Sequence, residues 1–325
     1  MKNIIPGTAL INILVCPKCH FSLKQENKKF FCKKCNSSFG IEEEIPKLVV
    51  KKTEDDADAE NYYNGIYREA VKVNELKTVK KNLPFKSIRE EITEKVVRGY
   101  KKKGILLSIG CGIGEYEDLF RGEYALLGTD LSLNALKVAK EYCKECQYFQ
   151  ANAESLPLKD QSIDILLCID MIEHVLDDKA VLKEISRVLK KDGILILTTA
   201  FSHQYKNVQV SEVSFRTFRN DSFGEGGDLR DYGYELISQL KELGFSTEKI
   251  RFFGGDIMNN LNKIKNYFLN FRKHNRIDVI SGRVLAENPH YLIYSKILKT
   301  FYWLDYLIYR KKDGTIIFLA CRKIK

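Results

Sequence analysis

Cys16-Pro17-Lys18-Cys19 and Cys32-Lys33-Lys34-Cys35 are two pairs of thiols, with twelve residues between the pairs. A C-x-x-C step turns the backbone so that both sulfurs point at one centre. Two such knuckles on adjacent hairpins complete a tetrahedral four-sulfur site. The gap is a little shorter than is common for this pattern, yet it holds a strand out and a strand back. Four thiolates leave no open coordination position. The expected ion is therefore a structural zinc, whose binding energy is largely the folding energy of its module. Phe21, Leu23, Phe30 and Phe31 are the apolar contacts expected for so small a unit, and His20, beside a ligand, is expected to be exposed.

A second constellation follows the apolar run Ile105-Leu106-Leu107-Ser108-Ile109: the glycine turn Gly110-Cys111-Gly112-Ile113-Gly114. Such a turn, after a strand and before a helix, lets the backbone approach a ligand closely. By itself it suits a nicotinamide cofactor, a flavin, or only a tight bend. Asp130 stands 20 residues after Gly110 at the end of a second apolar run, where a carboxylate can accept hydrogen bonds from both hydroxyls of a ribose. Glu173 and His174 lie just past a later run, and His203 past the one after it. His174 is the candidate general base for an oxygen or carbon acceptor, although loop histidines commonly serve only local hydrogen bonding. Cys143 and Cys146 form a third C-x-x-C; a lone pair is expected to be structural.

Alternating strands and helices must position these residues. Strands are expected over Ile105–Ile109, Tyr124–Thr129, Gln147–Ala151, Ile163–Ile169 and Ile194–Thr199. Between them fall a helix from Ser132 to Tyr142, capped by Ser132, and one from Lys179 to Leu189 with Val181, Leu182, Ile185, Val188 and Leu189 on one face. Asp192-Gly193 turns the chain into the fifth strand. This alternation gives a doubly wound parallel sheet that binds ligands at the carboxyl ends of its strands. A helix with Leu236, Leu240 and Leu243 on one face and a sixth strand, Phe245–Phe253, follow. The last strand is expected over Thr315–Cys321.

Four motifs in this order resemble those of class I S-adenosylmethionine-dependent methyltransferases, and most closely the group that includes the quinone-biosynthesis methyltransferases. They are Leu107-Ser108-Ile109-Gly110-Cys111-Gly112-Ile113-Gly114, Gly128-Thr129-Asp130-Leu131-Ser132, Asn152-Ala153-Glu154-Ser155-Leu156-Pro157, and Leu182 to Gly193. The resemblance implies a Rossmann-like, mostly parallel seven-stranded sheet. It implies that Gly110, Cys111 and Gly112 pass close to the methionine part of the cofactor and that Asp130 holds the ribose. Leu131 then lies against the adenine, Asn152 and Ala153 reach the adenine edge, and Ile169 and Asp170 line the floor below the methyl group. The family usually has Asp where this chain has Asn152. Leu14 to Val50 resembles the zinc-ribbon module of the activator subunits of tRNA and protein methyltransferases, with Ile45–Val50 as a short edge strand.

The domain plan is a zinc ribbon over 1–50, a linker and helical lead-in over 51–103, and the methyltransferase domain over 104–325. Lys51 to Glu60 is charged and reads as the linker. Tyr62, Tyr63 and Tyr67 follow; they either fold over the cofactor or pack the lead-in, and at least two are expected to pack. In class I methyltransferases only a short turn precedes the last strand. Here residues 254–314 form an insertion, expected to be a helical cap over the acceptor site. The net charge is +10, and residues 251–325 hold 15 Lys and Arg against 5 Asp and Glu, so the whole excess lies in the last quarter. An anionic partner suits such a block, as does a solvated lysine face. No run of eighteen apolar residues occurs, so no transmembrane span is expected, and the start lacks a signal-peptide core. The chain is therefore expected to be cytoplasmic, with peripheral membrane contact left open.

The functional reading is a methyltransferase acting on a small, lipid-linked or glycan-related metabolite. The alternatives are an RNA (tRNA or rRNA) methyltransferase, in which ribbon and insertion grip phosphates, and a noncatalytic zinc-ribbon partner of another methyltransferase. An Asn/Asp-Pro-Pro-Tyr motif for base amino groups is absent, since Asp170-Met171-Ile172-Glu173 stands in its place. The intact glycine turn and Asp130 argue against the noncatalytic partner.

Overall fold

The structure is a computed structural model that describes residues 6–50, 54–67, 88–100, 103–202, 206–207, 230–254, 300–301, 303–308, 310 and 314–325. Helix α1 (Pro6–Ile13) leads into four short antiparallel strands, β1 (Lys24–Glu26), β2 (Lys29–Phe31), β3 (Ser38–Glu42) and β4 (Ile45–Pro46). Helices α2 (Glu54–Ile66) and α3 (Ile88–Gly99) follow. The chain continues through β5 (Ile105–Ile109), α4 (Glu115–Asp118), β6 (Ala125–Asp130), α5 (Leu133–Tyr142), β7 (Gln147–Gln150) and β8 (Ile163–Ile169). It ends with α6 (Asp178–Val188), β9 (Leu189–Ala200), the small pair β10 (Lys206–Asn207) and β11 (Arg230–Asp231), α7 (Glu235–Glu242), β12 (Phe245–Phe253) and β13 (Ile316–Lys323).

Seven strands form one sheet in the order β12-β13-β9-β8-β5-β6-β7. From β9 to β7 every pair is parallel, and β13 runs antiparallel to both of its neighbours. The sheet is buried on both faces. Leu107 and Ile109 of β5 enter one core with the inner face of α6, whereas Leu106 enters the other with α3 and α5. Chain order reverses at β5, between β8 on one side and β6 on the other. That reversal opens a crevice at the carboxyl ends of these strands.

The expected strands of the seven-stranded sheet agree within two residues, except that β9 begins at Leu189. Asp192 and Gly193 form a bulge inside it, and pairing with β8 resumes at Ile194. Ser132 caps α5, its hydroxyl accepting the Ala135 N–H at 3.1 Å. Of the stretch read as a linker, residues 54–60 are helical and part of α2. Charge density alone suggested a solvated link, but this helix is held against the start of α5 and the end of β7 by polar contacts of Asn64 and Glu60.

The ribbon is not a separate body. Phe30, Phe39 and Leu48 belong to the same core as Leu107, Phe149 and Leu158. Phe21, expected inside, is 46% exposed; Phe39 and Leu48 occupy the interior instead. The expected edge strand shortens to Ile45–Pro46 because the chain crosses to β7 at once: the Lys47 N–H still donates to the Gly40 carbonyl of β3, while the Leu48 N–H donates to the Gln150 carbonyl.

The insertion 254–314 lies mostly outside the described residues, as does His203. Its two ends meet at the edge of the sheet that bears the crevice, where the Thr315 N–H donates to the Gly254 carbonyl at 3.2 Å. Residues 300–301 and 303–308 are helical, and Tyr306 stacks on Phe253. Among the described residues no helix is long and apolar enough to cross a membrane.

Candidate active site and metal centre

The glycine turn leaves β5 through Gly110 (φ 63°) and Gly112 (φ 53°), both in the left-handed region. A Cβ on Gly110 would stand 2.2 Å from Met171 Cγ, and one on Gly112 would stand 3.3 Å from the Tyr67 hydroxyl. The bare backbone therefore forms one wall of a cleft of about 290 Å³. Asp130 faces it from the end of β6. The Gly112 N–H donates to one carboxylate oxygen at 2.9 Å and the Ser132 N–H to the other at 2.8 Å. Each oxygen keeps lone-pair capacity for a further donor, as a ribose diol requires. Burial pushes the Asp130 carboxyl above its ordinary value, and the N–H groups of Ser132, Gly112 and Leu131 pull it back.

Leu131, Asn152, Ala153, Glu154 and His174 also line the cleft, with Asp170 and Met171 at its floor. Gly110, Gly112, Asp130, Leu131, Asn152, Ala153 and His174 are thus brought together around one cleft. The side chains of Cys111 and Ile169 are not. The Cys111 backbone joins the two glycines, its N–H donating to the Thr129 carbonyl at 3.0 Å, while its thiol packs inward and burial holds it protonated. Ile169 packs into the core beneath. The Asn152 side-chain oxygen accepts the Glu154 N–H at 2.9 Å, so it shapes its own loop as well as facing the cleft.

All three tyrosines, Tyr62, Tyr63 and Tyr67, line the cleft, contrary to the expectation that two of them only pack the lead-in. Helix α2 is moored there by polar contacts. The Asn64 side-chain oxygen accepts from the Ser132 hydroxyl at 3.1 Å and the Asn134 N–H at 3.2 Å, and Gln150 donates to Glu60 at 3.0 Å. Burial raises the phenols of Tyr63 and Tyr67. They stay neutral and offer hydroxyl donors and aromatic faces.

Arg89 of α3 was not found by sequence reasoning. It pairs with Asp170, whose backbone is left-handed (φ 47°) and whose carboxylate also accepts the Thr198 hydroxyl at 2.8 Å. Burial opposes the Arg89 charge, but Asp170 and Tyr116 outweigh it and hold the guanidinium above its ordinary range. The partners are 81 residues apart, and no local pattern announces the pair.

At the ribbon, the Sγ atoms of Cys16, Cys19, Cys32 and Cys35 lie within 4.8 Å of one another, with Cys16–Cys35 and Cys19–Cys32 at 3.5 Å. A tetrahedral zinc with bonds of about 2.3 Å places its sulfurs roughly 3.8 Å apart, so the cluster fits such an ion. His20 is exposed and stands outside the cluster. Cys143 and Cys146 are buried free thiols in the core.

A doubly wound sheet of this order, with a glycine turn and an acidic second strand end around one cleft, defines a class I S-adenosylmethionine-dependent methyltransferase fold. Residues 107–197 match the family model described as a methyltransferase domain. The uncharacterized protein MJ1252 of Methanocaldococcus jannaschii is 30% identical over 213 residues, covering 60% of this chain and 81% of that one. This chain belongs to that methyltransferase family. The ubiquinone/menaquinone biosynthesis C-methyltransferase UbiE of Campylobacter jejuni is 36% identical over 118 residues, covering 34% of this chain. The chain spans about half the length of this relative, 50% of it. Among solved structures, phosphoethanolamine N-methyltransferase 2 of Haemonchus contortus, in complex with phosphomonomethylethanolamine and S-adenosylhomocysteine, is 19% identical with a TM-score of 0.48. The match covers 86% of this chain and 62% of that one.

Proposed function

We propose that this chain is an enzyme that transfers a methyl group from S-adenosylmethionine to a small, lipid-linked acceptor, and that its ribbon binds one structural zinc. The observation that carries the reading is the half-buried Asp130 carboxylate, set between the left-handed Gly110–Gly112 wall and Tyr62, Tyr63 and Tyr67. The cofactor supplies a methyl group on a sulfonium, so transfer is an in-line displacement that needs orientation and dryness more than an electrophile. Asp130 holds the ribose hydroxyls, Leu131 and Ala153 face the adenine, and the glycine backbone admits the methionine part. The tyrosine faces suit a cationic sulfur and exclude water. Among the described residues His174 is the one imidazole lining the cleft, and it takes the acceptor proton where the acceptor is an oxygen or carbon acid.

A lipid-linked acceptor is supported by the helical residues 300–301 and 303–308. Phe301, Leu304, Leu307 and Ile308 are all more than 40% exposed, and Arg310, Lys311 and Lys312 follow them. An apolar face with basic flanks suits the surface of an anionic membrane. The basic last quarter also favours the alternative of an RNA acceptor.

Calorimetry with S-adenosylmethionine tests the reading. Asp130→Ala is expected to weaken binding at least tenfold, about 1.4 kcal/mol, with the unfolding midpoint kept. Equal affinity in the variant would sink the ribose assignment. Sedimentation with vesicles of phosphatidylcholine and phosphatidylglycerol, set beside salt-dependent binding of total RNA, separates the two acceptor classes.

A further inference from the structure

Among the described residues, none of the first fifty lines the cleft, yet the ribbon holds two of the segments that do. The first is the loop after β7. Its start is shaped from within, by Asn152 accepting the Glu154 N–H and by the Ser155 N–H donating to the Asn152 carbonyl at 3.0 Å. Its far half is clamped from two sides. Helix α6 supplies one side: the Leu156 N–H donates to Glu184 at 2.7 Å, and Arg187 donates to the Leu156 and Leu158 carbonyls at 2.9 and 2.6 Å. The first cysteine knuckle supplies the other. The Ser155 hydroxyl donates to the Pro17 carbonyl at 2.8 Å, and the Val15 N–H donates to the Pro157 carbonyl at 2.9 Å. The Lys159 N–H donates to the Ile13 carbonyl, also at 2.9 Å.

The second segment is reached through Gln150. Its carbonyl accepts the Leu48 N–H at 2.8 Å, while its side-chain amide donates to the Leu131 carbonyl at 2.9 Å and to Glu60 of α2. One end of the ribbon thus supports the loop bearing Asn152 and Ala153. The other supports the residue that ties Leu131 to the tyrosine-bearing helix.

Pro17 lies between the ligands Cys16 and Cys19, so the direction of its carbonyl belongs to the knuckle turn. A four-thiolate turn is held by its metal and loosens without it. A loop already ordered binds its ligand without the cost of ordering at that moment. We propose that metal in the Cys16–Cys19–Cys32–Cys35 cluster sets the affinity of the cleft for its cofactor. Ser155 and the Pro17 carbonyl position the 152–158 loop in this coupling. The inference rests on the reading of the cleft as a cofactor site.

The test uses the full chain, zinc-loaded and chelator-treated, with two readouts: S-adenosylmethionine affinity by calorimetry, and amide hydrogen exchange over 150–158 without cofactor. Zinc removal is expected to weaken affinity about tenfold or more and to speed exchange in that loop. Ser155→Ala keeps the metal and the fold, so it decides the matter if chelation unfolds the chain. It is expected to weaken affinity roughly threefold to tenfold with one zinc still bound and the melting temperature unchanged, and Ser155→Thr restores the affinity. Unchanged affinity and exchange in Ser155→Ala would overturn the coupling. Zinc-loaded wild-type protein that binds no cofactor would instead sink the functional reading, and loop exchange would still report whether ribbon and loop are joined.

Discussion

Glu117 lies in the one-turn helix after the glycine turn, fully buried, among Cys111, Cys146 and Tyr148. Neither carboxyl oxygen has a well-placed hydrogen-bond partner, although Ser108 lies near enough to temper the effect of burial. Burial pushes this carboxyl up to about 7, from about 4.3 in an unfolded chain. The fold therefore prefers the protonated acid. Its contribution to stability is full below the unfolded value and is lost as pH rises through 7. Glu117→Gln mimics the protonated form. It is expected to melt with wild type at pH 4 and to be more stable above pH 8, by on the order of 3 kcal/mol. Melting curves across that range check it, and a variant less stable at both ends would show that the carboxylate has a partner. Partial burial raises the Asp130 carboxyl too, but three backbone N–H groups face it and oppose the shift.

Helix α2 shows how an element of poor intrinsic hydrophobicity is kept in place. Its sequence, EDDADAENYYNGI, offers little apolar surface, and its anchors are polar. Asn64 is the central one, bridging the hydroxyl of Ser132 and the backbone N–H of Asn134 at the start of α5. Removing it leaves a buried hydroxyl and an N–H short of an acceptor. Asn64→Ala is expected to speed amide exchange throughout α2 and to lower cofactor affinity roughly fivefold, with the main sheet unchanged. Protection of α2 equal to wild type would mean that the aromatic contacts alone hold it.

At the scale of the molecule, ribbon and domain share one interior. Leu10, Leu14, Phe30, Phe39 and Leu48 pack with Phe149, Leu156 and Leu158, and Glu42 and Glu43 pair with Lys137 of α5 at 2.8 Å. Deleting residues 1–50 would expose that apolar surface and strip β7 of a backbone partner. The shortened chain is expected to aggregate or to melt far below the full-length protein, as light scattering and calorimetry would report. A soluble fragment with the full melting temperature would show the ribbon to be an independent module. Much of this organisation is legible without coordinates. The strand positions, the Ser132 cap, the cysteine cluster, and Gly110, Gly112 and Asp130 are encoded in local pattern, because strand period, turn chemistry and ligand spacing act over a few residues. The helical course of residues 54–60, the convergence of all three tyrosines, the Arg89–Asp170 pair and the hold of Pro17 on Ser155 are not. Each joins residues far apart in the chain through complementary surfaces. Such contacts leave no periodic trace in either partner, and only the packed fold brings them within reach.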